Sequence, residues 1–395
     1  MVDGKRALRF VVLMGVVNLF ADFTYEGGRG VAGAFLGHLG AGGAAVGAVA
    51  GGAEFAGYAI RSLAGLVADR TGLYWIDVWI GYAINVLCVP ALALVGSWPA
   101  AAGLLIGERV GRGIRKPVTA AMLSQAGRTL GSGRVFGLNE LLDQIGATLG
   151  PLVVAAAIAR GSFHTGFGIL VAPAALTLGF LAVATVAGRP FVPPREARAE
   201  SGPAIADRPA FTRYAIGGAL LAAGYVDFAL IAFRFSRDHV VGTAAISIWF
   251  AVAMALGAIS APLLGRLFDR FGNPIVGIAI LLTSAATPLA FLGRGIAAEA
   301  GAALWGVGAA VQDALLLALV AGVLAQRRRA TGFGFYDLIF GAAWFAGSAI
   351  AGVLLDRSSI ELALFSTLLQ LCAIPFFIKT GGRSPASASK AALTS

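Results

Sequence analysis

Charged residues are scarce in this sequence. They make up 13% of the 395 residues, whereas hydrophobic residues make up 58%. Soluble domains carry about 25% charged residues, so the composition excludes an ordinary soluble domain. Cysteine and histidine are rarer still, with two and three residues, and they form no cluster with metal-ligand spacing. Phosphate-binding loops and nucleotide fingerprints do not occur either. We therefore expect no metal, no cofactor and no enzymatic activity.

Long apolar segments are the main feature that is present. A helix needs about 20 apolar residues to cross a bilayer, and twelve segments reach roughly that length. We predict an all-α integral membrane protein with twelve transmembrane helices. The 55 glycines agree with this, because small residues let membrane helices pack closely. The predicted spans cover residues 10–36, 43–67, 74–96, 99–124, 135–158, 165–188, 213–235, 243–267, 274–293, 297–325, 332–355 and 360–379.

Positive charge is distributed unevenly between the loops. Of the 30 lysine and arginine residues, 19 lie in the termini and in the loops after even-numbered spans, and four lie in the opposite loops. Positive residues favour the cytoplasmic side of a membrane. The sequence therefore predicts a multi-pass protein of the inner (plasma) membrane with both termini cytoplasmic. The net charge of +10 then reflects orientation and contact with the lipid bilayer, and we expect no nucleic-acid partner.

One hydrophilic segment divides the chain. Residues 189–211 contain five prolines and charges of both signs, a composition that stays in water and resists a single helix. It predicts a cytoplasmic linker between an N-terminal bundle, residues 1–188, and a C-terminal bundle, residues 212–380. Residues 381–395 are rich in serine and alanine and are predicted to be a disordered tail.

A short charged turn occurs twice, each time after the second span of a half. GLVADRTG at 65–72 is repeated as GRLFDRFG at 265–272, an offset of 200 residues. A second pattern, Asp-Phe-x5-Arg, begins at Asp22 in one half and at Asp227 in the other. The chain therefore consists of two related halves. The residues shared by the turns are Gly65, Asp69, Arg70 and Gly72, and Gly265, Asp269, Arg270 and Gly272.

The repeated turn resembles the loop signature G-x-x-x-D-R-x-G of the major facilitator superfamily of membrane transporters. The resemblance implies two pseudo-symmetric six-helix bundles around a central cavity. It also implies a secondary transporter that works by alternating access, in which the turns latch the cytoplasmic gate.

Two more motifs are similar to those of proton-coupled exporters in that superfamily. Arg109 and Gly113 match the R-x-x-x-G motif of span 4, which implies a role for Arg109 in proton transfer. Gly146, Gly150 and Pro151 match the G-x-x-x-G-P antiporter motif of span 5. The resemblance therefore implies proton-coupled efflux.

Charged side chains inside the predicted spans are the candidate site. A charge at the centre of a membrane helix costs about 2.5–3.5 kcal/mol, so these side chains should face inward. They can form a coupling-ion path and a substrate site, or structural ion pairs that lock helices together. Glu108, Arg115, Lys116 and Asp143 lie nearer the span ends, where they can reach the surface. The main candidates are Asp22, Glu26, Arg29, Glu54, Arg61, Arg109, Arg112, Glu140, Asp227, Arg234, Asp313 and Asp337.

Span 1 carries the most specific arrangement. Asp22, Glu26 and Arg29 lie on one helix face, with the two acids one turn apart. Two carboxylates this close inside a membrane should not both ionise easily. We expect one to be ionised against Arg29 and the other to exchange a proton. Asp22 is the first choice for the exchanging group, because Glu26 lies nearer to Arg29.

The leading hypothesis is a monomeric transporter that exports a small molecule and uses protons as the coupling ion. One alternative is a proton-coupled importer or a uniporter of a polar or anionic metabolite, which the many charges within the spans favour. An alternative of another class is a transporter-like receptor or assembly factor without flux. Flux in proteoliposomes separates that alternative from the others.

Overall fold

The computed structural model describes residues 4–193, 204–325 and 329–378. Residues 194–203 of the predicted linker and the whole predicted tail, 381–395, lie outside the described residues. Within the described ranges the chain folds into helices, and it forms no β-strand.

The first half contains six membrane-crossing segments, the last of which is interrupted. Five of them contain the span predicted from the sequence, and the third, predicted for residues 74–96, is helical from Tyr74 to Leu94. Pro117 and Pro151 lie inside their helices without ending them. The helices are α1 (Gly4–His38), α2 (Gly43–Thr71), α3 (Tyr74–Ala91), α4 (Trp98–Leu130), α5 (Ser132–Arg160), α6 (Phe163–Gly168) and α7 (Val171–Gly188).

The second half also contains six segments and has more interruptions. The first, third and fourth of them are each divided into shorter pieces. The fourth contains a π-helical segment, Val311–Leu316, between two α-helices. The helices are α8 (Arg208–Gly224), α9 (Phe228–Arg237), α10 (Thr243–Phe271), α11 (Pro274–Thr283), α12 (Ala286–Leu292), α13 (Ile296–Ala310), α14 (Leu317–Val323), α15 (Arg329–Arg357) and α16 (Ser359–Ile378).

Ten of these twelve segments are long and apolar enough to cross a membrane, judged by their length and composition. The other two, α2 and α4, are long enough at 29 and 33 residues but carry internal charges. They pack against each other, and they also contact α15 and α3, respectively. Charges are tolerated at membrane depth when they face other helices. The all-α fold of twelve crossing segments in two halves agrees with the sequence prediction.

The break between α8 and α9 is stabilised by reciprocal hydrogen bonds. The Tyr225 hydroxyl donates to the carbonyl of Trp305 at 2.5 Å, and Trp305 Nε1 donates to the carbonyl of Val226 at 2.8 Å. The Asp227 carboxylate accepts from the N–H of Ala229 at 2.9 Å and caps α9. Backbone and side-chain polar groups at the break are thus satisfied by the protein, as membrane depth requires.

Glycines at two positions explain how α5 approaches α1. A Cβ added at Gly146 would overlap the carbonyl of Leu19, and one added at Gly150 would overlap the carbonyl of Phe23. Small residues allow this close contact between membrane helices. Both glycines of the antiporter-like motif therefore have a packing role.

The two halves meet closely at the end that carries the α1–α2 connection. A Cβ added at Gly47 of α2 would overlap the carbonyl of Ser348 of α15. Nearby, the Asp356 carboxylate accepts from the backbone N–H groups of Gly43 and Ala44, each at 2.8 Å. We call this the closed end, and the opposite end, with the two repeated turns, the turn end.

Candidate functional site

A network of charged and polar side chains runs through the first half. It begins at Asp22 of α1, whose Oδ1 lies 2.9 Å from Nη2 of Arg115 of α4. The same guanidinium donates to Asn18 at 2.9 Å and to Asn85 at 3.1 Å. Arg115 is 2% exposed, so the expectation that it could reach the membrane surface is wrong. The reason is that α4 continues to Leu130 and leaves residue 115 near its middle.

The network continues from α3 to α4, α2 and back to α1. Asn85 donates to Oε1 of Glu108 at 2.7 Å, and the other oxygen of Glu108 lies 3.2 Å from Nη1 of Arg109. Oε1 of Glu54 lies 3.0 Å from Nε of Arg109 and 3.2 Å from Nη2 of Arg29. Four helices are therefore joined by one set of ion pairs and hydrogen bonds.

Glu26 lies at the other end of the network. Its Oε1 is 3.5 Å from Nη1 of Arg29, and its Oε2 is buried without a hydrogen-bond partner among the described residues. Asp22 is held more firmly, by Arg115 at 2.9 Å and by the Tyr25 hydroxyl at 3.5 Å. The predicted pairing of Arg29 with an acid of α1 is therefore present, through Glu26. The preference for Asp22 as the exchanging group loses its support, because Asp22 has a partner on α4.

Arg29 faces a cavity between the halves. The cavity has a volume of about 40 Å³, which is room for a few water molecules. Asp227 and Ala229 line it from the second half. The guanidinium of Arg29 also lies 5.9 Å from the ring centroid of Trp305 and 6.0 Å from that of Phe250. The network thus ends where the two halves meet.

Arg112 and Lys116 lie one turn apart on α4 and are half-buried. The guanidinium of Arg112 lies 4.8 Å from the ring centroid of Tyr25, and its Nε is buried without an acceptor among the described residues. Neither residue forms an ion pair within the described part of the chain.

The acids of α5 differ from expectation. Glu140, a main candidate, is exposed and accepts a hydrogen bond from Gln144 at 2.8 Å. Asp143 is the buried one, at 9% exposed. One of its oxygens accepts from Asn139 at 3.2 Å, and the other has no partner among the described residues. Three residues of α-helix leave the Asp143 side chain rotated about 60° from that of Glu140 around the helix axis, and this rotation turns it toward the interior.

The charged candidates of the second half are dispersed. Arg61 of α2 pairs with Asp337 of α15 at 3.4 Å and so bridges the halves. Arg234 donates to the carbonyls of Ala290 and of Gly293, the latter at 3.2 Å, and fastens α9 to the end of α12. These contacts give Arg61 and Asp337 an interface role and Arg234 a packing role.

Comparison with known proteins decides the family. A family model described as the Major Facilitator Superfamily matches residues 14–348. The chain belongs to this superfamily. An uncharacterised protein of Mycobacterium tuberculosis is 33% identical over 380 residues, which cover 93% of this chain and 92% of that relative.

Solved structures of superfamily transporters share its fold. A mutant of the nucleoside transporter NupG gives a TM-score of 0.76 at 14% identity, covering 93% of this chain and 100% of that one. A bacterial homologue of the human lysosomal transporter Spinster, in an inward-facing and unoccupied conformation, gives 0.73 at 14% identity, covering 96% and 99%. This member of the Major Facilitator Superfamily is therefore a multi-pass membrane protein and a secondary transporter.

The repeated turns of this superfamily member both end in a glycine with positive φ, 74° at Gly72 and 73° at Gly272, which favours glycine. Their ψ angles differ, at 8° and −153°, so only Gly72 ends its helix in the left-handed helical conformation. The side chain of Asp69 lies outside the described part of the structure. The gating role of Gly65, Arg70, Gly265, Asp269 and Arg270, like that of Asp69, stays a prediction.

Sequence reasoning missed the uncharged members of the network. Asn18 accepts from the Tyr82 hydroxyl and donates to Asn139 at 2.7 Å. Asn85 is fully buried between Arg115 and Glu108. The available signal was an amide side chain inside an apolar span, since buried amides require hydrogen-bond partners.

Proposed function

We propose that this protein is a proton-coupled secondary transporter that exports a small polar solute by alternating access. The observation that carries the proposal is Glu26, a buried carboxylate with one unpartnered oxygen at the end of the network. Its ion pair with Arg29 is long at 3.5 Å, so a proton can be accepted without breaking a short ion pair.

Arg29 supplies the coupling between protonation and conformation. It is shared between Glu26 and Glu54, and it contacts Trp305 and Phe250 of the other half. When Glu26 is protonated, its attraction for the guanidinium falls and Glu54 becomes the main partner. A shift of Arg29 toward Glu54 changes its contact with the second half and so biases the position of the halves.

The alternation itself requires the closed end to separate. Two sets of contacts seal it, the glycine face of α2 against α15 and the bonds from Asp356 to the start of α2. In the opposite state these contacts are released and the turn end closes. The likeness of Gly146, Gly150 and Pro151 to the antiporter motif supports exchange of a proton for the solute. The unpaired Arg112 and Lys116 favour a polar or anionic solute, which is the substrate class of the alternative importer or uniporter.

The distribution of positive charge between the loops supports an orientation with the turn end in the cytoplasm. After Cys88 and Cys372 are replaced by serine, a cysteine at Gly131 should react with an impermeant maleimide only from the cytoplasmic side. A cysteine at Gly161 should react only from outside. Labelling of both positions from the same side would contradict the twelve-span arrangement in this orientation.

Flux in proteoliposomes tests the function. Vesicles that contain the purified protein and a pH-sensitive dye are offered small polar solutes, with protein-free vesicles as the control. At least one solute should produce a saturable change of internal pH. Solute movement without proton movement would reject proton coupling. Absence of flux for every solute would favour the receptor or assembly factor.

A further inference from the structure

Two cations of the first half and one acid of the second half form no ion pair within the described residues. Arg112 and Lys116 supply the positive side on α4. Asp313, on the π-helical segment of the second half, supplies the negative side and is exposed. Lys116 and Arg112 are the cations that act most strongly on the Asp313 carboxylate. The charges of the three groups therefore interact between the two halves.

Helical spacing directs the two cations toward the cavity between the halves. Arg109 lines the cavity between the halves, and Arg112 and Lys116 follow it by three and seven residues on the same face of α4. Other faces of α4 are occupied, because Gly111 packs on α3 and Gly113 on α2. The charge of Lys116 also interacts with Asp22 and Asp143, but Lys116 pairs with neither within the described residues.

The π-helical segment adds an independent observation. Gln312, beside Asp313, is 7% exposed, and neither its amide nitrogen nor its amide oxygen has a partner among the described residues. Buried polar atoms are normally hydrogen-bonded, so an atom outside the described chain is expected to satisfy them. Short π-helical turns within α-helices frequently mark functional sites.

We propose that the solute is a small organic anion that carries an amine or hydroxyl group. Arg112 and Lys116 bind its carboxylate or phosphate oxygens, and Asp313 accepts a hydrogen bond from the amine or hydroxyl. A guanidinium and an ammonium together suit an oxyanion, since the first can donate two parallel bonds and the second acts as a point charge. The inference rests on the proposed transport function and names its substrate class.

The test is the unfolding temperature of the purified protein with succinate, aspartate or inorganic phosphate. Sodium chloride at equal ionic strength is the reference. At least one anion should give saturable stabilisation. Lys116→Gln, which removes a half-buried charge without an ion pair and should fold, is expected to weaken the apparent affinity at least about tenfold. The double variant Arg112→Gln with Lys116→Gln should lose the effect.

Control variants separate binding at this site from a general effect of removing charge from the protein. Arg128→Gln with Arg134→Gln removes two exposed charges near the turn end and should keep the stabilisation. Asp313→Asn should weaken binding of aspartate more than that of succinate, because the two differ by the amine. The proposal is overturned if no anion stabilises the wild type, or if Lys116→Gln binds as the wild type does.

Failure of the site and failure of the transport function give different results. Specific stabilisation by an anion without flux in proteoliposomes would support the site and reject transport. Proton-coupled flux of an uncharged solute, with no stabilisation by any of the three anions, would support transport and reject the site.

Discussion

Replacing Arg115 with methionine is expected to lower the free energy of unfolding by about 3–5 kcal/mol. The side chain is 2% exposed and its guanidinium bonds to Asp22, Asn18 and Asn85. Its removal leaves Asp22, which is 4% exposed, as a buried carboxylate without its cation. Desolvation of that charge is then uncompensated. The unfolding temperature and the yield of detergent-purified protein measure the effect.

Arg112→Met is the matched control for this prediction. It removes an arginine almost one turn earlier on the same helix, but one that is half-buried and has no ion pair in the described structure. Its effect on stability should be much smaller. Adding Asp22→Asn to Arg115→Met should restore part of the loss, because the stranded charge is removed. Equal destabilisation by Arg115→Met and Arg112→Met would show that Arg115 is not a central support of the fold.

Glu26→Gln is expected to abolish transport driven by a pH gradient while solute exchange without a gradient continues. Glutamine keeps the size of the side chain and cannot gain or lose a proton. Arg29 retains Glu54 at 3.2 Å, so the network and the fold should persist. Gradient-driven accumulation and counterflow exchange in the same proteoliposomes separate the two effects. Accumulation should fall to the level of protein-free vesicles.

Asp22→Asn is the comparison for Glu26→Gln. Asp22 is the acid of α1 held by Arg115 at 2.9 Å, so its neutralisation should reduce stability and leave coupling to the pH gradient intact. The reverse result, with coupling lost in Asp22→Asn and retained in Glu26→Gln, would return the proton site to Asp22. If both variants keep their coupling to the pH gradient, the proton site should be sought at Asp143 and Glu140.

The fold was predictable because its determinants are local and repeated. Apolar segments of sufficient length give the spans, and the turns at 65–72 and 265–272 reveal the two halves. Gly146 and Gly150 likewise indicated close helix contact, which the approach of α5 to α1 confirms. These features depend on spacing along the chain, which the sequence shows directly.

The partners within the site were not predictable in the same way. Spacing places Asp22, Glu26 and Arg29 on one face of α1, but Asp22 finds its cation on α4. Glu54 likewise pairs with Arg29 and Arg109 on two other helices. Such contacts depend on how helices rotate against each other, and one sequence carries no direct signal for that rotation.

The measurement that tests proton-linked alternation most directly is the distance between spin labels at each end as a function of pH. After replacement of Cys88 and Cys372, one pair joins the exposed positions His38 and Arg294 at the closed end. The other joins the exposed positions Arg128 and Arg266 at the turn end. This experiment needs no knowledge of the solute.

In the wild type, each pair of labels should show two populations of molecules. In one of them the closed-end distance is longer and the turn-end distance is shorter than in the other, and pH should set the ratio of the two populations. In Glu26→Gln both populations should remain and their ratio should no longer depend on pH. A single distance at both ends across all pH values, or an unchanged pH dependence in Glu26→Gln, would contradict alternation controlled by a proton on Glu26.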